Sequence, residues 1–376
     1  MIFYLTYNEA PSGIFSSQVV DVVKFIEGSC GEKIKLVSFI SLRHFFVDRK
    51  KIKDELPESI VLPMFPKMQN WEKNKFFLNF YCWLFKPKTI IARSVMAGKL
   101  ALVMKENKSC KKFIYDGRGA IEAEWREYNV ITDDFLLKNI GSYERDVINN
   151  SDYRIAVSNG LIDFWKKQYL YSDIKHVVIP CTLNSDFENV KLTVESISTK
   201  RTELNLQEDD TVFVYSGSVA GWQSFDILFS FIEPLLKKSS KNKVVFFSPQ
   251  NSNLNKLQKS FPNQVTCKLL KPSEVAGYLI VGDFGLLIRE QSITNQVASP
   301  VKYAEYLACG LKVIISENLG DYSLLSEQKK WGYIFSKFND SILRPEFSGK
   351  QKISEEAINF FSKKNYLLQY QQLLLS

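Results

Sequence analysis

A strand–loop–helix–strand unit in the last third of the chain constrains the fold more than any other segment. Residues 283–288 (DFGLLI) and 311–315 (LKVII) are short apolar runs, which are typical of buried strands. Between them, apolar residues recur at helical spacing over 301–308, with Ser299 placed to cap the helix and Pro300 suited to its first position. This alternation predicts an α/β protein with a parallel sheet.

The loop before this helix is the predicted ligand site, because open α/β sheets bind ligands beyond the carboxyl ends of their strands. The N-terminus of the helix, at Ser299, Pro300 and Val301, could receive a phosphate on its bare backbone N–H groups, of which proline supplies none, assisted by the cations of Arg289 and Lys302. Glu305, three residues further along the helix, could accept hydrogen bonds from ribose hydroxyls. The alternative is an ordinary surface helix in which Lys302 and Glu305 form a weak i,i+3 pair.

Residues 300–314 (PVKYAEYLACGLKVI) resemble the nucleotide-binding segment of family 4 glycosyltransferases, which have the GT-B architecture. In that family a glutamate five residues before a glycine binds the donor ribose, which implies this role for Glu305. The resemblance also marks the start of the helix as the donor phosphate site. Many members have a second glutamate eight residues earlier, where this chain has Val297, so the contact of that carboxylate with the transferred sugar is in doubt.

Further donor-side positions follow from the same resemblance. Gly217 follows the strand predicted over 211–216 and would let the backbone approach a pyrophosphate, with Ser218 beside it. Many relatives have an arginine directly after this glycine and a lysine a few residues later, whereas this chain has Ser218 and the Gln223–Ser224 region. The resemblance also implies that the backbone near Leu270 holds the nucleotide base.

Candidate acceptor-side residues lie at strand ends in the first half of the chain. Gly13 lies in the loop after the first predicted strand, Arg93 ends another strand, and the segment DGRG, with Asp116 and Arg118, ends a third. Arg118 could hold a phosphate or carboxylate through a bidentate pair, and Asp116 or Glu122 could bind sugar hydroxyls. The competing interpretation is an internal Asp116–Arg118 or Arg118–Glu122 ion pair that shapes the loop.

The chain has 376 residues, which suits two α/β domains of ordinary size. The sequence predicts a first domain over 1–187, a polar linker over 188–210 within a second domain over 188–353, and a helix over about 354–376 that crosses back to the first. Residues 44–60 are charged and are predicted to be irregular. The fold class is therefore predicted as α/β, with two Rossmann-like domains and a cleft between them, as the GT-B resemblance implies.

Composition limits the possible compartments and partners. The six cysteines are scattered without C-x-x-C spacing, which predicts reduced thiols in a cytoplasmic protein and no structural zinc. No apolar run approaches the roughly 20 residues of a membrane helix, and the N-terminus lacks a basic signal-peptide region. No compact Lys/Arg stripe favours nucleic acid.

Charge and aromatic residues leave a membrane contact open. The formal net charge is +8, and residues 1–185 carry 27 Lys and Arg against 21 Asp and Glu. The basic first half could face an anionic membrane or a phosphorylated acceptor, or could serve only solubility. Residues 65–85 are aromatic and lysine-rich, and are predicted either to lie on a membrane surface or, as the favoured alternative, to form a crossover helix buried against the sheet.

These observations predict a nucleotide-sugar-dependent, hexosyltransferase-type glycosyltransferase, which by resemblance retains the anomeric configuration. Arg289 and Lys302 are the predicted catalytic cations, because they could stabilise charge on the leaving diphosphate. The expected partners are a UDP- or GDP-linked sugar and a glycan or lipid-linked acceptor, in surface polysaccharide synthesis at the inner membrane face. No Asp-x-Asp motif is present, so no metal or other cofactor is expected. The alternatives are a nucleotide-sugar epimerase of the same architecture and a degenerate, non-catalytic partner protein.

Overall fold

The architecture comes from a computed structural model that describes residues 1–218, 224–339 and 344–375. The described chain divides into two compact units, each built on a parallel sheet. The first unit contains Met1–Thr182, the short segment Gln296–Ser299 and the C-terminal residues from Lys363 onwards. The second unit contains Leu183–Asn295 and Pro300–Ser362.

The first unit has a sheet with the strand order β3-β2-β1-β4-β5-β6-β7, in which all neighbours are parallel. Its strands are β1 (Ile2–Tyr7), β2 (Ile34–Ile40), β3 (Ile60–Pro63), β4 (Thr89–Arg93), β5 (Lys112–Gly117), β6 (Tyr153–Ala156) and β7 (His176–Val178). Ile2 pairs with Ile34 of β2 on one side and Thr89 of β4 on the other. The connections change direction between β1 and β4, and such a switch point opens a crevice at the carboxyl ends of the strands.

Nearly every residue of β1, β2, β4 and β5 is buried, because helices cover both faces of this sheet. They are α1 (Gly13–Phe15), α2 (Asp21–Cys30), α3 (Phe45–Glu55), α4 (Lys75–Phe85), α5 (Ser94–Glu106), α6 (Ile121–Glu127), α7 (Asp134–Asn150) and α8 (Asn159–Tyr169). A π-helical turn, Ser16–Val20, joins α1 to α2. The predicted start of α8 after a serine is confirmed, since the Ser158 hydroxyl accepts a hydrogen bond from the Leu161 amide at 3.0 Å.

The second unit has a parallel sheet with the strand order β10-β9-β8-β11-β12-β13. Its strands are β8 (Thr211–Ser216), β9 (Asn242–Phe247), β10 (Val265–Cys267), β11 (Phe284–Leu287), β12 (Lys312–Ile315) and β13 (Gly332–Ile334). Its switch point lies between β8 and β11. The predicted strand–loop–helix–strand unit is confirmed, with β11 and β12 as its two strands.

The remaining helices follow in chain order. They are α9 (Ser185–Glu188), α10 (Val194–Glu203), α11 (Phe225–Lys238), α12 (Ser252–Ser260), α13 (Pro272–Leu279), α14 (Ile293–Gln296), α15 (Val301–Ala308), α16 (Tyr322–Lys329), α17 (Phe347–Phe361) and α18 (Leu367–Leu375). The last of these belongs to the first unit, where the Tyr370 ring packs 5.7 Å from the ring of Phe25 in α2. Among the described residues, no helix has both the length and the apolar character required to cross a membrane.

Three predictions of local structure are wrong. Residues 44–60 are not irregular, because they contain α3 and the start of β3; Ile52 is the one fully buried side chain of α3. The predicted linker over 188–210 contains α10, whose Arg201 is buried. The single helix predicted over 354–375 is instead two helices, α17 and α18, separated by the 3-10 turn Lys363–Tyr366.

Candidate functional site

The donor-side candidates gather at the switch point of the second sheet. Gly217 and Ser218 directly follow β8, Arg289 follows β11, and Lys302 and Glu305 lie on α15. Because β8 and β11 are neighbouring parallel strands, their carboxyl ends open at one edge, where a ligand is expected. The structure therefore brings these five sequence-predicted residues to the same edge of the second unit.

Tyr306 fixes α15 against this sheet. Its hydroxyl accepts a hydrogen bond from the Ser216 amide at 2.8 Å, and its ring occupies the space beside Gly285. A Cβ atom at position 285 would lie 2.4 Å from Tyr306 Cδ2, so only glycine lets the helix approach β11 so closely. This contact fixes the distance between α15 and β11.

Lys302 projects from α15 toward the end of β8. Its Nζ donates a hydrogen bond to the Tyr215 hydroxyl at 3.1 Å and lies 4.4 Å from the centroid of the Tyr215 ring. The Tyr215 hydroxyl in turn donates to the Ser218 carbonyl at 2.6 Å. Tyr215 was missed from the sequence, although an aromatic residue next to the end of a strand that runs into glycine was a usable signal.

Gly217 is required by the geometry of this group. Its φ of +134° lies in a region that other residues rarely adopt, and a Cβ atom there would lie 2.4 Å from Lys302 Cε. The absence of a side chain at Gly217 therefore leaves room for the Lys302 side chain. Gln223, which with Ser224 stands where many relatives have a lysine, lies outside the described residues.

The titration of Lys302 and Glu305 reflects their partial burial. Burial and the nearby Arg289 guanidinium lower the pKa of Lys302 well below its usual range. Burial raises the pKa of Glu305 to about 7, and the attraction of Lys302 opposes that rise. Both shifts mean that the charged forms are penalised in this site, so a ligand that favours those charged forms would shift both groups back toward ionisation.

Arg289 is held by the end of the neighbouring strand β12. Its amide donates to the Ser316 hydroxyl at 2.7 Å, and that hydroxyl donates back to the Arg289 carbonyl at 2.6 Å. Its Nη1 donates to Asn295 Oδ1 at 3.2 Å. The backbone of Arg289 is thus fixed before any ligand binds.

The start of α15 differs from the sequence prediction by one residue. Pro300 occupies the N-cap position and Val301 is the first helical residue, whereas Ser299 was predicted to cap and Pro300 to begin the helix. The Ser299 hydroxyl instead accepts a hydrogen bond from the Cys181 amide at 2.9 Å, within the first unit. The reason is that residues 296–299 pack with the first unit, which draws the serine away from the helix end.

Val297 lies in the same short segment and is 3% exposed in the core of the first unit. Its carbonyl accepts a hydrogen bond from the Ser158 hydroxyl at 2.7 Å. A carboxylate here would be buried among apolar side chains without compensation, so valine suits the packing of this chain.

Leu270 lies between β10 and α13 and is partly buried against the core of the second unit. It follows the carboxyl end of β10, two strands away from β8 in the sheet. Its backbone contact with a nucleotide base stays a prediction.

The acceptor-side candidates Arg93, Asp116 and Arg118 meet at the carboxyl ends of β4 and β5. Arg118 Nη1 lies 3.3 Å from Asp116 Oδ1, and Arg93 Nη1 lies 3.8 Å from Asp116 Oδ2. The Tyr4 hydroxyl donates to Asp116 Oδ2 at 2.5 Å, and Glu9 binds Arg93 Nε at 3.0 Å. The predicted internal Asp116–Arg118 pair is therefore present, and sequence reasoning missed Tyr4 and Glu9, which lie 112 and 84 residues from their partners.

Burial by itself lowers the pKa of Arg118, but Asp116, together with Cys181, Tyr4 and Tyr370, more than offsets this, so the pKa is raised and the guanidinium stays charged. Its Nη2 also lies 3.4 Å from Gln18 Oε1. The group thus places two guanidinium groups at the switch point of the first sheet, where the carboxylates of Asp116 and Glu9 balance their charges.

Glu122 and Gly13 lie apart from this ion-pair group in their contacts. Glu122 pairs with Arg126 at 3.1 Å on α6, rather than forming the Arg118–Glu122 pair considered from the sequence. Gly13 begins α1 after Ser12, and a Cβ atom there would meet nothing within 4 Å. The protein structure alone therefore does not require glycine at position 13.

Among the described residues, no group of three or more His, Cys, Asp or Glu side chains is placed to hold a metal ion.

Comparison with solved structures identifies the architecture. A glycosyltransferase from Rickettsia africae matches with a TM-score of 0.70 at 14% identity, over 99% of this chain and 98% of that chain. HepE from Anabaena, solved in complex with UDP, matches with a TM-score of 0.70 at 10% identity, over 100% of this chain and 98% of that chain. The chain has the GT-B fold.

A weaker likeness bears on the epimerase alternative. A putative UDP-N-acetylglucosamine 2-epimerase from Listeria monocytogenes matches with a TM-score of 0.52 at 9% identity, over 99% of this chain and 90% of that chain. By sequence, the chain matches no protein-family model and no curated protein.

Proposed function

We propose that this protein is a nucleotide-sugar-dependent glycosyltransferase whose second unit binds the donor. The observation that carries the proposal is the gathering of Gly217, Lys302 and Glu305 at the switch point between β8 and β11, with Arg289 on the next loop. The likeness to glycosyltransferases, one of them solved with UDP, supports the same conclusion and makes UDP the first nucleotide to test.

The proposed mechanism uses charge rather than a protein nucleophile. The bond from the donor sugar's anomeric carbon to the diphosphate oxygen breaks, and the acceptor hydroxyl forms the new bond on the same face, with retention. Lys302 and Arg289, with the N–H groups at the start of α15, stabilise the negative charge on the leaving diphosphate. The leaving phosphate oxygen takes the acceptor proton, so neither a metal ion nor a side-chain base is part of the scheme.

The acceptor is proposed to be a glycan or a lipid-linked glycan, bound by the first unit in surface polysaccharide synthesis at the cytoplasmic membrane face. The Arg93–Asp116–Arg118 group lies at that unit's own switch point, where ligands bind in open sheets. Its guanidinium groups suit an acceptor that carries a phosphate or carboxylate.

The decisive experiment is calorimetric titration of the protein with UDP and with GDP, without added metal. We expect saturable binding of one nucleotide, weakened in Glu305→Ala by about 5- to 150-fold, which corresponds to about 1–3 kcal/mol for a lost hydrogen bond to a charged group. The matched control is Glu195→Ala, which removes an exposed glutamate from α10 in the same unit. Unchanged affinity in Glu305→Ala would contradict the ribose assignment, and binding of neither nucleotide would favour the non-catalytic partner protein.

Product analysis separates the transferase from the epimerase. We expect a UDP- or GDP-sugar to yield free nucleoside diphosphate and glycosylated acceptor. Release of an isomerised sugar without acceptor would instead identify the epimerase, which the weaker structural likeness keeps as the second candidate.

A further inference from the structure

Helix α4 in the first unit has one buried side and one exposed aromatic side. Leu78 and Cys82 are buried in the core of the first unit, so this side of the helix packs against the unit. The opposite side is exposed, whereas the favoured prediction was a buried helix. Its exposed fractions are 68% for Phe76, 41% for Phe77, 55% for Phe80, 70% for Trp83 and 51% for Leu84, and these five residues are called the α4 aromatic face.

The α4 aromatic face is one continuous stripe. Phe76, Phe80, Trp83 and Leu84 follow the i, i+4, i+7, i+8 spacing that places side chains on the same side of a helix. The Phe80 and Trp83 rings lie 6.2 Å apart, and Phe77 extends the stripe to Phe65, at 6.4 Å between centroids. A contiguous exposed patch of large apolar side chains marks an interaction surface, unlike single exposed residues.

Lysines border this stripe at both ends. At the N-terminal end, Lys75 lies 5.8 Å from the centroid of the Phe76 ring, and Lys73 lies 5.5 Å from that of Phe65. Long lysine side chains can lie along apolar surface while their ammonium groups reach a polar boundary. The pattern is that of a helix lying at an interface between an apolar and an anionic medium.

At the C-terminal end, a surface hollow of about 360 Å³ lies beside Trp83. It is lined by Lys86 and Lys88 from the loop before β4, and by Lys108 and Lys111 from the loop before β5. No carboxylate is among its lining residues. Four ammonium groups from two separate loops therefore surround one hollow next to the aromatic stripe.

We propose that the α4 aromatic face and its bordering lysines dock on an anionic lipid bilayer. The aromatic side chains enter the boundary between headgroups and acyl chains, and the lysine-lined hollow receives lipid phosphate groups. A second copy of this chain is a poorer occupant, because a self-complementary contact would bring the same lysine clusters toward each other. The proposal uses no residue of the donor or acceptor groups, so it stands independently of the proposed function.

The test is binding of the full chain to vesicles of pure phosphatidylcholine and of phosphatidylcholine with phosphatidylglycerol. We expect binding to the anionic vesicles only, reduced about tenfold or more in Phe80→Ser/Trp83→Ser and in Lys86→Glu/Lys88→Glu. The control is Leu170→Ser/Ile174→Ser, which removes two other exposed apolar side chains of the first unit. That variant should bind as the unchanged protein does.

Tryptophan fluorescence locates the contact. Of the tryptophans that the structure describes, Trp71, Trp125, Trp165 and Trp331 are buried, and Trp83 is exposed. Quenching by brominated anionic lipid should occur in the unchanged protein and be largely lost in Trp83→Phe, a variant that keeps the apolar ring and so still binds vesicles.

Three results would overturn the proposal. They are absence of binding to anionic vesicles, equal binding by the serine and control variants, and quenching that persists in Trp83→Phe. A dimer in sedimentation analysis that Phe80→Ser/Trp83→Ser dissociates, without vesicle binding, would assign the face to a second copy instead.

Discussion

The Lys302 ammonium group lies 4.4 Å from the centre of the Tyr215 ring and 3.1 Å from its hydroxyl oxygen. The aromatic ring and hydroxyl hold the lysine side chain at the end of β8, while Gly217 leaves the space that it occupies. The donor-side charge is therefore positioned by protein contacts before any nucleotide arrives, which reduces the cost of ordering it on binding.

Replacing Gly217 by alanine should displace Lys302 and weaken nucleotide binding by about tenfold or more, since the new methyl group would overlap the lysine chain and the backbone has a positive φ. Calorimetric titration with the nucleotide that binds measures the loss. Gly277→Ala in α13 is the matched control, because a Cβ atom there meets nothing within 4 Å. Equal affinities of the two variants would refute the packing argument.

Nucleotide binding should shift the pKa values of two groups in opposite directions. A diphosphate favours the charged form of Lys302, whose pKa is lowered by burial, so binding should raise that pKa. Ribose hydroxyls favour the ionised form of Glu305, whose pKa burial raises to about 7, so binding at neutral pH releases a proton. Calorimetric titration of the protein with the nucleotide, in two buffers of different ionisation enthalpy, measures the net number of protons exchanged on binding.

Single variants separate the two contributions. Lys302→Met should still release a proton on binding, because Glu305 is intact, and Glu305→Gln should release none. Identical proton exchange in both variants and the unchanged protein would place the titrating groups elsewhere.

Asp283→Ala should destabilise the second unit by about 3–5 kcal/mol, the scale for breaking a buried ion pair. Its carboxylate binds Arg201 Nη2 at 3.0 Å and the Val212 amide at 2.9 Å, and lies 3.5 Å from Lys350 Nζ. The side chains of Asp283, Arg201 and Lys350 are all buried, so the substitution would leave two buried cations without their anion. Urea unfolding measures the change.

The control for this variant is Asp209→Ala, which breaks an exposed pair with Lys241 in the same unit. Exposed pairs contribute little, so its unfolding curve should stay close to that of the unchanged protein. Equal losses of unfolding free energy in both variants would contradict the prediction that the buried ion pairs of Asp283 stabilise the unit more than the exposed pair does.

Stability should also depend on pH through Glu144. Burial raises its pKa to about 7 despite hydrogen bonds from the Ile121 and Glu122 amides, at 3.0 and 2.9 Å. The folded state therefore holds this proton to a higher pH than the unfolded state does, so the associated stability is complete below about pH 4.5 and is lost as the pH rises through about 7.

This contribution to the free energy of unfolding is at most ~3 kcal/mol, because the pKa of Glu144 rises from 4.5 to about 7 on folding. Melting temperatures from pH 5 to 8 should fall less steeply in Glu144→Gln than in the unchanged protein. Glu106→Gln, at an exposed position on α5, should keep the original slope. A slope unaffected by Glu144→Gln would contradict the assignment.

The sequence predicts best where local signals agree with the tertiary structure. The strands around 283–315 are buried on both faces and read as apolar runs, and α15 carries its apolar residues at helical spacing. Arg289, Lys302 and Glu305 could be found for the same reason, because strand ends in a parallel sheet meet at one edge, whereas Gly217 and Ser218 followed from the family resemblance. Their functional roles remain predictions.

Long-range contacts account for the failures. The sequence of α10 has little apolar periodicity and so predicts a linker, yet its Arg201 is fixed by Asp283, 82 residues away. Tyr215 and Lys302 are 87 residues apart, and no local pattern joins them. Ser299 looked like a helix cap because capping is a local rule, whereas its partner, the Cys181 amide, is 118 residues earlier.

The division of the chain into units also has a consequence for its synthesis. The first unit takes helix α18 from residues that follow every segment of the second unit in the chain, so it can be completed only after translation reaches that helix. The second unit has all of its segments once Ser362 has emerged. A nascent chain therefore exposes the apolar surface that α18 covers on α2 until α18 itself has been translated.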